Sequence, residues 1–195
     1  IHVSDQNHFG SAQIKAQETG VESLGKVIEN QDLGMALNKA VLEQKQIEVK
    51  SQVQVNLISH QAEIALLECQ NSKETFKVEA SLVVLADGGR SGLREKLGIH
   101  HKQESYGQVA IIANVAFSEP HHNVAYERFT PNGPLALLPL NNFEQDNRAA
   151  LVWTQNAQEY KEIIDLDDDS FLLKLREEFG QRLGTFYRVG ERASF

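Results

Sequence analysis

Cysteine is almost missing from this sequence: Cys69 is the only one in 195 residues. A lone cysteine closes no internal disulfide, so a reducing compartment is expected. Cys69 sits in the strand-like "IALLECQ" and is expected to be a structural or merely exposed thiol. Long apolar runs are also missing. None approaches the ~20 residues that a membrane helix needs, and no signal-peptide pattern is visible. Basic residues are in deficit, with 19 Lys and Arg against 27 Asp and Glu and a net charge of −8. Without a Lys/Arg cluster, nucleic acid is not an expected partner, and anionic lipid finds no polybasic handle. The sequence holds neither a P-loop nor a G-x-G-x-x-G stretch, and no recognisable nucleophile triad.

Weak metal signals are similarly set aside. "DLDDDS", from Asp165, resembles the start of a calcium loop. The sixth and twelfth positions would be Ser170 and Arg176 instead of Gly and Glu, so helix capping is expected. His100/His101 and His121/His122 are adjacent pairs whose side chains diverge on extended backbone. They chelate poorly and are expected in solvated turns. Trp153 is expected in the core.

What is present describes an ordinary globular chain, 41% apolar and 24% charged, long enough for one domain or two lobes. Residues 1 to 20 read as a hairpin turned near Asn7 to Gly10, and "LGKVIEN" as a short strand. Leu33, Ala36, Leu37, Ala40 and Val41 recur at helical spacing and predict an amphipathic helix. "IEVKSQVQVNLIS" alternates as a strand. "AEIALLECQ" and "ETFKVEA" read as a hairpin turned on "NSK". "SLVVLA" is continuously apolar, as in a strand buried on both faces of a parallel sheet. From Tyr106 the texture changes. "QVAIIANVAF", "NVAYERF", "LALLPL" and "RAALVWT" predict an antiparallel sheet. "AQEYKEII" and "DDSFLLKLREEFG" predict helices, and "GTFYRVGERASF" a last strand. The fold class expected is α/β (α+β), with an α/β part over 21–105 and a sheet with helices on one face over 106–195.

The densest chemistry lies in "LVVLADGGRSGLREKLG", residues 82 to 98. An apolar strand ends on Asp87, turns on Gly88 and Gly89, and leads to a helix start with Ser91 as a natural cap. Strand ends of open α/β sheets bind ligands. Glycines let a phosphate approach the free N–H groups of a helix start, and Arg90 or Arg94 would add charge-assisted bonds. The alternative is a plain strand-to-helix turn in which Asp87 bonds its own loop amides.

This stretch resembles the Asp-Gly fingerprint of the flavoprotein aromatic hydroxylases, the para-hydroxybenzoate hydroxylase class. Asp87, Gly88, Ser91 and Arg94 fill the pattern's four positions. "LGKVIENQDLGMAL", "ERFTPNGPLALLPL", "AIIANV" and "FGQRLG" are similar to segments of the ubiquinone-biosynthesis hydroxylases, in the 2-octaprenyl-6-methoxyphenol hydroxylase branch. The resemblance implies FAD held by those four residues, with NAD(P)H and O2 as co-substrates. It implies hydroxylation of an aromatic ring with a polyprenyl tail. It divides the chain into a 1–20 hairpin of the substrate domain, a 21–105 part of a parallel-sheet FAD-binding domain, and a 106–195 antiparallel substrate domain. Leu135, Leu137 and Pro139 would line an apolar substrate pocket, or pack as ordinary core. Arg128 would reach flavin or substrate, or stay exposed on its strand. The family's G-x-G-x-x-G and Gly-Asp motifs are implied before Ile1 and after Phe195. The sequence is therefore expected to be an internal portion of a longer enzyme, inactive by itself. A cytoplasmic location peripheral to the inner membrane, and assembly with other ubiquinone-biosynthesis proteins, are implied too. The alternatives are a related hydroxylase of a soluble phenol, and a non-catalytic binding or assembly module that keeps the fold.

Overall fold

The structure is a computed structural model that describes residues 1–61, 63–89 and 91–195. In chain order its strands and helices are β1 (His2–Asp5), β2 (Ser11–Gln13), α1 (Asn30–Leu42), β3 (Gln54–Gln61), β4 (Ile64–Gln70), β5 (Thr75–Ala80), α2 (Leu93–Lys96), β6 (Gln108–Phe117), β7 (Tyr126–Thr130), β8 (Gly133–Phe143), β9 (Asp146–Asn156), α3 (Tyr160–Ile164), α4 (Asp168–Phe179), β10 (Phe186–Val189) and β11 (Ala193–Ser194). They fall into two compact units, Ile1–Ala36 with Ser105–Phe195, and Leu37–Glu104. Residues 21–36 thus group with the first unit, whereas the sequence texture joined them to 37–105.

Among the described residues, the first unit is built on an eight-stranded mixed sheet, ordered β10–β6–β9–β8–β7–β1–β2, with β11 also on β6. The N-terminal hairpin joins it by a parallel β1–β7 pairing. Strict alternation in the long strands gives the sheet two different faces. Ile111, Ala113, Val115, Leu135, Leu137, Ala149, Leu151 and Trp153 point to one face, where α4 adds Phe171, Leu175 and Phe179 to a single core. Trp153 is fully buried, edge-on to Phe171 at a centroid distance of 5.7 Å. Each such side chain contributes about 1.5–3 kcal/mol on burial, so this packing is what holds the first unit together.

The second unit is an antiparallel sheet, β3–β4–β5, with a small core of Ile58, Ala65 and Leu93. The turn between β4 and β5 is set by Asn71, whose Oδ1 accepts from the amides of Lys73 and Glu74.

Four local expectations differ from the structure. Residues 24–29 are not a strand. The strand expected from Ile47 begins only at Gln54, because Gln52 adopts a left-handed φ of 56° that breaks an extended run. "SLVVLA" forms no strand either. Val83 and Leu85 pack on the Ile58 core while Leu82 and Val84 stay 80% and 75% exposed, because no neighbouring strand among the described residues pairs with this backbone. The helix α1 forms, yet it buries none of its residues, so its apolar stripe is unpartnered.

Candidate functional site

The Asp-Gly turn closes on its own carboxylate. Asp87 Oδ1 accepts from the Gly89 amide at 2.8 Å, and Oδ2 accepts from the Ser91 hydroxyl. The Ser91 oxygen in turn accepts from the Leu93 amide at 3.2 Å, at the first residue of α2. Ser91 therefore ties the helix start to Asp87 from one position before the cap, which is Gly92. Both bonds favour the ionised carboxylate, and Ser91 foremost, then Gly89, hold Asp87 below its ordinary value.

Gly88, Gly89 and Gly92 all take left-handed conformations, with φ of 67°, 74° and 68°. The Arg94 guanidinium lies over Gly89, where an added Cβ would come within 3.3 Å of Nη2. Arg94 Nε is buried and has no hydrogen-bond partner among the described residues. The structure thus brings Asp87, Gly88, Ser91 and Arg94 into one turn. Arg90 lies outside the described residues. Asp87 and Ser91 also stand at the edge of a cavity of about 580 Å³, whose walls include Val55, Ile58, Leu67 and Leu93. A left-handed Gly88 with open space beside it, next to an arginine with an unused donor, fits a diphosphate-bearing group such as FAD.

For the second expected site, Leu135 and Leu137 take the alternative of ordinary core packing. They are 0% and 1% exposed within the α4-covered core. Pro139 shares their face, opposite Ala149, and is half-buried. It is tolerated there because β7 pairing ends at Leu137, so β8 has lost one neighbour. By strand parity the other face of β8 carries Ala136, Leu138 and Leu140. In register with them are Val152, Ala150 and Arg148 on β9, and Ile112, Asn114 and Ala116 on β6. That face is mostly small and apolar, away from α4. At one end Glu127 lies opposite Ala136, and burial pushes its carboxyl up. At the other end Glu29 Oε1 accepts from Asn114 Nδ2 and from Arg148 Nη2, each at 2.7 Å.

Sequence reasoning missed this Glu29 cluster. Its members are 85 and 119 residues apart. The usable signal was a polar residue, on the face turned away from α4, in each of two otherwise apolar strands, Asn114 in "AIIANVAF" and Arg148 in "RAALVWT".

Other expected candidates find structural roles. Arg128 points to the α4 side, donating from Nε to the Glu178 carbonyl at 2.8 Å at the end of that helix. Asp167 caps α4, accepting from the Ser170 amide at 2.9 Å, and this bond holds its carboxyl low. His121 is not solvated but buried. Its Nδ1 accepts from the Asn123 amide at 2.9 Å, so Nε2 carries the proton and donates to the Leu140 carbonyl at 3.0 Å. Cys69 is buried.

A Rhodospirillum rubrum ubiquinone hydroxylase, UbiL, is 40% identical over 118 residues, 60% of this chain and 27% of its own length. The Mus musculus ubiquinone biosynthesis monooxygenase COQ6 is 35% identical over 103 residues, 52% of this chain and 21% of that protein. The chain spans less than half the length of the curated relatives it matches. Among solved structures, the p-nitrophenol 4-monooxygenase PnpA of Pseudomonas putida superposes with a TM-score of 0.62 at 14% identity. The match covers 87% of this chain and 42% of that one, which is a likeness of fold. The family described as FAD binding domain matches residues 7–187, nearly the whole chain, and the chain belongs to that family.

Proposed function

We propose that this chain is the central part of an FAD-dependent monooxygenase. It would hydroxylate the aromatic ring of a polyprenylated phenol in ubiquinone biosynthesis, with NAD(P)H and O2 as co-substrates. The observation that carries the reading is the Asp87–Arg94 turn within a chain of the FAD binding domain family, similar to UbiL and COQ6. Bound FAD supplies the redox and oxygen chemistry. The residues of this chain supply the binding.

Asp87 and Ser91 fix the loop, Gly88 and Gly89 let phosphate oxygens approach the backbone, and Arg94 offers its unpaired donor. In this reading 21–105 belongs to the FAD-binding domain, and 1–20 with 106–195 to the substrate domain. The sheet face turned away from α4, around Leu138, Ala150 and Val152, is the apolar floor for the ring. No described helix is long and apolar enough to cross a membrane. A substrate with a polyprenyl tail would be met by peripheral contact with the bilayer, in company with other enzymes of the route.

The test uses the whole protein that carries this chain. Purified with its flavin, it should consume NADH or NADPH in the presence of an alkylated phenol and yield a product one oxygen heavier. Tight flavin binding with no phenol-dependent turnover would favour a non-catalytic module. Turnover only with short, soluble phenols would favour the related hydroxylase.

A further inference from the structure

We infer that Glu29 sets substrate specificity by cancelling the charge of Arg148 on the sheet face turned away from α4, so that the floor accepts uncharged aromatic rings and rejects aromatic carboxylates. The inference rests on that face being the substrate floor.

Arg148 lies in register with Ala116 on β6 and Leu140 on β8, and Asn114 with Ala150 on β9. The two donors therefore stand in adjacent rows of one face, and both reach the same oxygen of Glu29. Two N–H donors on a carboxylate oxygen, one of them from a guanidinium, make a carboxylate-recognition site. The Phe143 ring, 5.8 Å from the Arg148 guanidinium carbon, flanks it. Here the site is filled from within the chain.

The Arg148 and Glu29 side chains are only 17% and 33% exposed, so water screens the pair incompletely. Glu29 is also fixed through its backbone. Its carbonyl accepts from the Leu33 amide at 3.1 Å, in the first turn of α1. A carboxylate tethered in this way competes at high effective concentration with any free one. A benzoate arriving on the floor would meet a spent guanidinium and a fixed negative charge. A neutral phenol meets neither penalty, and its ring rests on Leu138, Ala150 and their neighbours.

The experiment compares a matched pair, 4-hydroxybenzoate and its uncharged methyl ester, binding to the flavin-loaded whole protein by calorimetry. Wild type should bind the ester more tightly than the acid. Glu29→Ala should bind the acid about tenfold or more tighter than wild type does, because one charge-assisted hydrogen bond is freed for it. Its ester affinity should change by less than about threefold, since the apolar floor is intact. Adding Arg148→Met should remove the gain. Should Glu29→Ala fail to fold, Glu29→Gln keeps the side-chain volume and removes the charge, and a smaller gain for the acid is expected from it. A folded variant that binds the ester normally but shows no gain for the acid overturns the inference alone. Wild type and variants that bind neither compound overturn the substrate-floor reading, and the inference with it.

Discussion

At Gly89 one hydrogen atom in place of a side chain decides the shape of the turn. A left-handed φ costs an L-residue roughly 1 kcal/mol, and a Cβ there would also press on the Arg94 guanidinium at 3.3 Å. At Gly88, with a similar φ of 67°, an added Cβ meets nothing within 4 Å. Gly88→Ala should therefore cost the backbone term only. Gly89→Ala should cost that and also displace Arg94, so flavin retention in the whole protein should fall further in Gly89→Ala than in Gly88→Ala. Equal retention in dialysis of the two variants would show that Arg94 is not held by this contact. The neighbouring carboxylate has its own signature. Asp87 is held below its ordinary value, so its stabilising bonds are fully present above the unfolded carboxylate value. They are lost as pH falls through the lowered one. Ser91→Ala removes the largest cause. The Asp87 carboxyl resonance should then titrate at higher pH than in wild type, and an unshifted titration would exclude the Ser91 hydroxyl as its main partner.

Among the elements, α4 shows how local and distant residues share one task. Its start is legible in the sequence, since "DLDDDS" places Asp167 three residues before Ser170, and the cap bond forms as expected. Its other end is held by Arg128 from β7, 50 residues away, which no local pattern announces. Asp167→Ala should destabilise the first unit by the loss of this cap. The wild-type excess should fade on acidification, as Asp167, also lowered, takes up its proton. Urea unfolding at neutral and at acid pH checks both parts: an Asp167→Ala penalty that is the same at both would rule out the charged cap. The same division explains what could be read elsewhere. The strands β6, β8 and β9 were visible because alternation is a local pattern. Which of their faces the helices cover is not a local pattern, so the sequence alone does not tell whether Leu135 and Leu137 line a pocket or pack in the core, where the structure has them. "SLVVLA" reads as a buried strand from composition, yet a strand needs backbone partners, which no described neighbour gives it.

For the whole molecule, the division into two units has an energetic consequence. The core around Leu137, Trp153 and Phe171 is drawn only from residues of the first unit, and the Ile58, Ala65 and Leu93 core only from the second. Removing packing from one leaves the side-chain contacts of the other untouched. Leu137, 1% exposed, opposes Leu151 on β9 and Tyr126 on β7. Leu137→Ala should cost about 2–5 kcal/mol, since the centre of a sheet collapses poorly onto a cavity. Hydrogen exchange should show where that loss is felt. Amides of β6, β8 and β9 should exchange faster in the variant, while those of β3, β4 and β5 keep their wild-type rates. Faster exchange in both sets would mean that the units open together, so that β3–β5 draws its protection from the larger sheet. Protection retained in β3–β5 would mean that the turn bearing Asp87 rests on a core of its own.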